Sequence, residues 1–220
     1  MKELFSDTLM NRIETCGIIA VLVIDRIEDA APLAKSLLDG GIDVMELTLR
    51  TPAAIAAVQE IKRKVPEMLA GIGTILTPEQ AMEAKAAGAA FGVAPGMNPR
   101  VVAKAKAIGF PFAPGICTPS DIEAALEYGC RLLKFFPAET SGGLTHLKTL
   151  SAPYMHLGLK FIPLGGLGQD NLASYLAEPF IAAAGGSWIA KRHIIKANDW
   201  TAITAAAAKA RETVKNRKEN

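Results

Sequence analysis

The sequence is poor in cysteine and histidine, with three of each among its 220 residues. Cys16, Cys117 and Cys130 form no CxxC spacing, and the histidines form no HxxxH or HExxH arrangement. These absences argue against a disulfide framework, a bound metal or another cofactor, and we expect none. Each cysteine is predicted to be a free thiol that is buried like a small apolar side chain.

The chain also lacks a long apolar run and a strong excess of charge. The apolar stretch at residues 18–24 is far shorter than the roughly 20 residues that span a bilayer, and residues 1–16 resemble an amphipathic helix more than a signal peptide. The formal net charge is +2, no extended basic stretch suggests a nucleic-acid site, and the polar tail at 215–220 is predicted to fray. We expect a cytoplasmic protein without a nucleic-acid or membrane partner.

What the sequence does contain is a repeat of short apolar runs and Ala/Glu/Lys-rich helical segments. The predicted strands lie at residues 17–24, 44–50, 69–74, 91–95, 112–116, 132–137, 161–165 and 182–185. Alternation at this spacing demands parallel strands with right-handed crossovers, either as a closed barrel or as an open doubly wound sheet. We expect closure: one (β/α)₈ TIM barrel with an extra N-terminal helix, forming a single domain over residues 1–220.

Four of the predicted helices share the same kind of start. A polar residue that can cap a helix precedes a proline suited to the first helical position at Thr51-Pro52, Thr77-Pro78, Asn98-Pro99 and Thr118-Pro119. The recurrence of this junction supports one repeated architecture.

The second predicted strand carries unusual polar residues. Because side chains alternate between the two faces of a strand, Glu46, Thr48 and Arg50 share one face, while the apolar residues between them share the other. The apolar face must meet the helices, so the three polar side chains point into the barrel. Arg50 lies at the C-terminal end of its strand, where barrel enzymes build their active sites.

The same alternation places Lys134 inside the barrel, in line with Leu132 and Phe136. A lysine desolvated by Leu and Phe favours the neutral, nucleophilic amine that forms an iminium with a carbonyl compound. The alternative is a structural ion pair with Glu46, which the residues alone leave equally open.

Glycine pairs end the last two predicted strands. Gly165-Gly166 and Gly185-Gly186-Ser187 lie at the two junctions where barrels often bind phosphate, and bare glycine backbone lets N–H groups approach an anion. They predict a phosphorylated ligand. Thr74, at the end of the third strand, could hold a small carboxylate together with Arg50, although it could also serve only as a helix cap or strand-end residue.

Five segments occur in an order that carries a family resemblance. They are Met-Glu-Leu-Thr-Leu-Arg-Thr (45–51), Gly-Ile-Gly-Thr (71–74), Ala-Pro-Gly (94–96), Pro-Gly-Ile-Cys-Thr (114–118) and Leu-Lys-Phe-Phe-Pro-Ala-Glu (133–139). The chain strongly resembles the class I aldolases that act on 2-keto-3-deoxy-6-phosphogluconate (KDPG) or 4-hydroxy-2-oxoglutarate (KHG). The resemblance extends from about residue 17 to beyond residue 187.

The resemblance implies a homotrimeric lyase that splits KDPG into pyruvate and glyceraldehyde 3-phosphate. By residue-to-residue matching, Lys134 is the Schiff-base lysine and Glu46 the acid/base. The resemblance implies that pyruvate is bound by the residues at four matched positions: Arg50, Thr74, Pro95 and Phe136. It implies that phosphate is bound at four others: Gly165, Gly166, Gly186 and Ser187.

One position departs from the family pattern, which usually reads Pro-Thr-Gly-Gly where this chain has Pro163-Leu164-Gly165-Gly166. The matching threonine touches a sugar hydroxyl near the cleaved bond, and leucine has no group to do so. KHG and the galactonate-derived phosphosugar acid therefore stay open as substrates. More distant alternatives are a phosphosugar isomerase or epimerase with Glu46 as base, and a barrel that only binds a phosphorylated ligand.

Overall fold

The structure is a computed structural model that describes residues 4–217. Its parallel strands are β1 (Ile18–Leu22), β2 (Val44–Thr48), β3 (Leu69–Gly73), β4 (Gly92–Val93), β5 (Phe112–Ala113), β6 (Gly115–Ile116), β7 (Leu132–Phe135), β8 (Lys160–Pro163) and β9 (Ala184–Gly186). They form two ladders, in the orders β5-β4-β3-β2-β1-β9 and β6-β7-β8. Each overlaps a predicted strand.

The two ladders join into one barrel. Pro114, which has no backbone N–H, separates β5 from β6. The two short strands together occupy the fifth strand position of the barrel. At the other seam, single parallel bridges link Phe161 to Ile181 and Leu164 to Gly185. The sheet therefore closes on itself, as predicted, rather than staying open.

The helices are α1 (Asp7–Cys16), α2 (Ala30–Asp39), α3 (Ala54–Lys64), α4 (Pro78–Ala86), α5 (Pro99–Ala107), α6 (Pro119–Glu127), α7 (Gly143–Ser151), α8 (Gln169–Leu176), α9 (Arg192–Lys196) and α10 (Trp200–Arg217). Helix α1 precedes the first strand and is the predicted extra helix. Its predicted start at residues 1–3 lies outside the described residues, as do residues 218–220 of the predicted frayed tail. The tail prediction is wrong for residues 215–217, because α10 continues through them.

Three of the four predicted helix starts are confirmed. The side chains of Thr77, Asn98 and Thr118 each accept a hydrogen bond from a backbone N–H in the first turn of α4, α5 and α6. The prediction for Thr51 is wrong, because α3 begins only at Ala54 and the Thr51 hydroxyl donates to the Ile24 carbonyl instead. That bond ties the loop after β2 to the loop after β1.

Alternation of the strand side chains produces the core. Met45 and Leu47 on β2, and Leu133 and Phe135 on β7, are fully buried between barrel and helices. Burying an apolar side chain of this size stabilises the fold by about 1.5–3 kcal/mol. The intervening residues are thereby committed to the barrel interior. Among the helices of residues 4–217, none is both long and apolar enough to cross a bilayer.

Candidate active site

A cavity of about 380 Å³ opens at the C-terminal end of the barrel strands. All the predicted site residues line it: Glu46, Arg50, Thr74, Pro95, Lys134, Phe136, Gly165, Gly166, Gly186 and Ser187. They lie between positions 46 and 187 of the sequence, and the parallel barrel brings them together because every strand ends at the same rim.

Lys134 and Glu46 are paired in the interior of this cavity. The Nζ atom of Lys134 lies 3.3 Å from Oε1 of Glu46, and the two side chains are only 7% and 1% exposed. The ammonium also lies 5.4 Å from the centroid of the Phe136 ring, within the range of a cation–π contact. Glu46 is thus within direct proton-transfer distance of the lysine.

The Arg50 guanidinium is oriented by its own strand. The Nε of Arg50 donates to the Thr48 hydroxyl at 3.0 Å, and that hydroxyl donates to the Leu22 carbonyl at 3.0 Å. Thr48 is buried, and its two hydrogen bonds link Arg50 to the backbone of β1. The guanidinium remains an exposed cation at the rim of the cavity, suited to bind a carboxylate.

Thr74 adopts a backbone conformation that is rare for a β-branched residue. Its φ angle is 61°, in the left-handed region. Such conformations cost about 1–3 kcal/mol and cluster at binding sites. Here the turn follows directly after β3 and places Thr74 in the same cavity as Arg50. The helix-cap alternative for Thr74 is wrong, because Thr77 caps α4.

The two glycine-containing junctions form the opposite end of the cavity. Gly165 and Gly166 have φ angles of 97° and 85°, which L side chains rarely adopt. Gly186 and Ser187 follow on from the last strand and line the same space. The cavity therefore has a cationic, hydroxyl-bearing end, a central Lys–Glu pair, and an end built of glycine backbone and a serine hydroxyl.

Comparison with protein families matches residues 9–206 to the family described as KDPG and KHG aldolase. The chain belongs to the KDPG and KHG aldolase family. Its members are aldolases, so this chain is a carbon–carbon lyase, as the resemblance implied.

Individual relatives agree with this assignment over nearly the whole chain. The chain is 45% identical to the 2-dehydro-3-deoxy-phosphogluconate aldolase of Treponema pallidum, over 90% of this chain and 93% of that protein. It is 37% identical to the KHG/KDPG aldolase of Escherichia coli K12, over 91% and 93% of the two chains. A crystal structure of the KDPG aldolase of Legionella pneumophila, holding pyruvate as a covalent carbinolamine, superposes with a TM-score of 0.86 at 38% identity, covering 90% and 96% of the chains.

This aldolase carries an apolar wall where the family pattern has a threonine. Leu164 is 3% exposed, lines the cavity and fills the space above Gly185, where an added Cβ would lie 2.3 Å from Cδ2 of Leu164. Val21 and Leu167 also line the cavity and were not predicted. The alternation of side chains along β1 could have indicated that Val21 faces the cavity. Val21 is the one residue of that strand that is only partly buried.

The three free cysteines differ in their burial. Cys16 and Cys130 are buried as predicted, but Cys117 is half-buried, so the prediction that all three are buried is wrong. Cys117 lies in the turn before α6, where its N–H donates to Asp121. Within residues 4–217 no three His, Cys, Asp or Glu side chains come together as a metal site.

Proposed function

We propose that this aldolase cleaves KDPG into pyruvate and glyceraldehyde 3-phosphate through a Schiff base on Lys134. The observation that carries the proposal is the 3.3 Å separation of Lys134 Nζ and Glu46 Oε1 in the barrel cavity. A purely structural ion pair would not need a cavity around it with a carboxylate-binding end and an anion-binding end. The covalent carbinolamine in the Legionella relative supports the same chemistry.

Binding uses the two ends of the cavity. The substrate carboxylate lies at Arg50 and Thr74, with Pro95 and Phe136 packing on the pyruvyl carbons. The phosphate lies at Gly165, Gly166, Gly186 and Ser187, where backbone N–H groups and a hydroxyl suit an anion. This orientation places the C2 carbonyl near Lys134.

The covalent step begins when Glu46 accepts a proton from the Lys134 ammonium. The neutral amine attacks C2 to form a carbinolamine, and Glu46 returns the proton to its hydroxyl, which leaves as water. The resulting iminium withdraws electrons from C3. After Glu46 or a water takes the proton of the C4 hydroxyl, the C3–C4 bond breaks, its electron pair forms an enamine, and glyceraldehyde 3-phosphate leaves. Protonation of the enamine at C3 and hydrolysis release pyruvate and the free amine.

The test is to trap the iminium with sodium borohydride in the presence of pyruvate and to locate the added mass by peptide mapping. A reduced adduct on Lys134, absent from a Lys134→Met variant that keeps its fold, is the expected result. Folded protein without an adduct would contradict the proposal and favour the isomerase, which forms no covalent intermediate.

KHG is the second candidate substrate. The family includes KHG aldolases, the E. coli relative is named for both substrates, and the apolar Leu164 adds no group specific for a sugar hydroxyl. Comparing kcat/KM for KDPG, KHG and 2-keto-3-deoxy-6-phosphogalactonate decides between the candidates.

We also propose that the protein is a cytoplasmic homotrimer whose residues 1–220 fold as one domain. The family resemblance supports the trimer, and the repeat of βα units without a linker supports the single domain. Sedimentation equilibrium should give three times the chain mass of 23.3 kDa. A mass of one or two chains would contradict the trimer.

A further inference from the structure

A buried tyrosine and a glutamate form a pair behind the glycine loop of the cavity, which we define as residues 164–168. Tyr175, on α8, is 1% exposed, and its hydroxyl donates a hydrogen bond to Oε1 of Glu139. Glu139 begins a short 3₁₀ helix that continues to Ser141. Neither residue is among the described residues that line the cavity. Any effect they have on substrate must act through the glycine loop.

Glu139 contacts both glycines of this loop. Its backbone N–H donates to the Gly165 carbonyl at 3.0 Å. A Cβ built on Gly166 would lie 2.5 Å from Cβ and 2.7 Å from Cγ of Glu139, so the side-chain stem packs directly on the Gly166 backbone. The position of Glu139 is therefore coupled to the backbone of the loop.

Helix α8 holds the other side of the same loop. The Asn171 amide donates to the Gly166 carbonyl at 3.4 Å and accepts from the Gly168 N–H at 2.9 Å. Asn171 and Tyr175 are four residues apart and share a helix face. The glycine loop thus lies between α8 and Glu139, and the Tyr175 hydroxyl joins these two supports.

The hydrogen bond also fixes a negative charge close to an anion site. A free carboxylate beside a bound phosphate would repel it, whereas Tyr175 holds Oε1 of Glu139 on the side of Gly143, 3.4 Å from where a Cβ on Gly143 would lie. Burial, and then the Glu139 carboxylate, raise the pKa of Tyr175 above its ordinary value. The phenol therefore stays protonated and keeps donating across the pH range of enzyme assays.

We propose that Tyr175 and Glu139 are positioning residues for phosphate, holding Gly165 and Gly166 in the conformation that binds the phosphate of the substrate. The inference rests on the proposed function, because it takes these glycines as the phosphate site. It assigns the pair no part in the Schiff-base chemistry at Lys134, and the two claims are therefore separable by experiment.

The decisive variant is Tyr175→Phe, which removes one hydroxyl. We expect KM for KDPG and the inhibition constant of inorganic phosphate each to rise roughly tenfold, the scale of one lost hydrogen bond. The kcat value and the pyruvate concentration giving half-maximal borohydride adduct should stay within about twofold, since neither depends on a phosphate contact. Unchanged phosphate binding, or an equal loss in pyruvate binding, would overturn the positioning role.

Matched variants separate this role from general damage. Tyr154→Phe removes another tyrosine–glutamate hydrogen bond, 2.9 Å to Glu123, between residues that do not line the cavity, and should change none of these values. Glu139→Gln keeps an oxygen that accepts from Tyr175 and should bind phosphate nearly normally, whereas Glu139→Ala should match Tyr175→Phe. Should Tyr175→Phe not fold, Glu139→Ala at an exposed position makes the same comparison. A missing adduct in the unaltered chain would refute the proposed function itself.

Discussion

The α-carbon of Gly73 lies directly against the carboxylate of Glu46. A Cβ built on Gly73 would be 1.6 Å from Oε1 and 2.4 Å from Cδ of Glu46, closer than any two such atoms can approach. Any side chain at position 73 would therefore push the Glu46 carboxylate away from the place where it contacts Lys134. The Gly-Ile-Gly-Thr segment has a steric function inside the barrel as well as forming a strand end.

Gly73→Ala should displace the Glu46 carboxylate and lower kcat/KM by roughly a hundredfold or more, the usual scale for loss of a positioned acid/base. Steady-state kinetics with KDPG measures this. Gly96→Ala is the matched control, because a Cβ at Gly96 meets nothing within 4 Å. Full activity in Gly73→Ala would mean that Glu46 is dispensable or that the barrel relaxes around the methyl group.

Thr48→Val tests how the Arg50 guanidinium is held. The variant removes the hydrogen bond that the Thr48 hydroxyl donates to the Leu22 carbonyl, which should lower the free energy of unfolding by about 1 kcal/mol. It also removes the acceptor of Arg50 Nε, so the concentration of pyruvate needed for half-maximal adduct should rise by roughly threefold to tenfold.

The control for this prediction is Thr51→Val, whose hydroxyl donates to the Ile24 carbonyl and not to the Arg50 system. It should lose stability to a similar extent without weakening pyruvate binding. Equal weakening in both variants would argue that the loops, rather than the Thr48 hydroxyl, orient Arg50.

Leu164→Thr tests the apolar wall. A threonine hydroxyl beside Gly165 should raise the preference for KDPG over its C4 epimer, 2-keto-3-deoxy-6-phosphogalactonate, by about tenfold in kcat/KM, the effect of one hydrogen bond. Leu164→Met keeps the volume and the apolar surface, so it should leave the ratio unchanged. An unaltered ratio in Leu164→Thr would place the C4 hydroxyl away from this wall.

The three thiols should differ in reactivity. Burial raises the pKa of Cys16 to about 11 and that of Cys130 to about 12, and the thiolate is the reactive species. Native protein treated with iodoacetamide at about pH 8 should be alkylated at the half-buried Cys117 alone, and all three should react after denaturation. Peptide mapping gives the sites, and rapid labelling of Cys130 in native protein would contradict its burial.

Much of the candidate site follows from local sequence patterns. The alternation in Met-Glu-Leu-Thr-Leu-Arg assigns Glu46, Thr48 and Arg50 to the interior. Side chains along a strand alternate between its two faces, and the apolar face must be covered by helices. The same rule assigns Lys134. A polar residue before a proline correctly predicts a helix start at Thr77, Asn98 and Thr118. The prediction is a local one because a capping hydrogen bond spans at most three residues.

Local patterns fail where a side chain has a competing partner from elsewhere in the chain. Thr51 has the sequence of a cap, but the Ile24 carbonyl lies within reach only after β1 and β2 have paired. Cysteine is usually a buried residue, but the turn before α6 leaves Cys117 half-buried. The Ile24 carbonyl is not encoded within the few residues around Thr51.

The sequence by itself indicated the repeated strand–helix architecture, the inward residues of the second and sixth predicted strands and the family, because strand periodicity and motif order are properties of the linear chain. Only the tertiary structure decided that Lys134 lies 3.3 Å from Glu46, that Gly73 makes room for that carboxylate, and that Tyr175 reaches Glu139 behind the glycine loop. These relationships join residues 27 to 88 positions apart. Their distances are set by how neighbouring strands and helices pack, and packing is a property of the closed barrel as a whole.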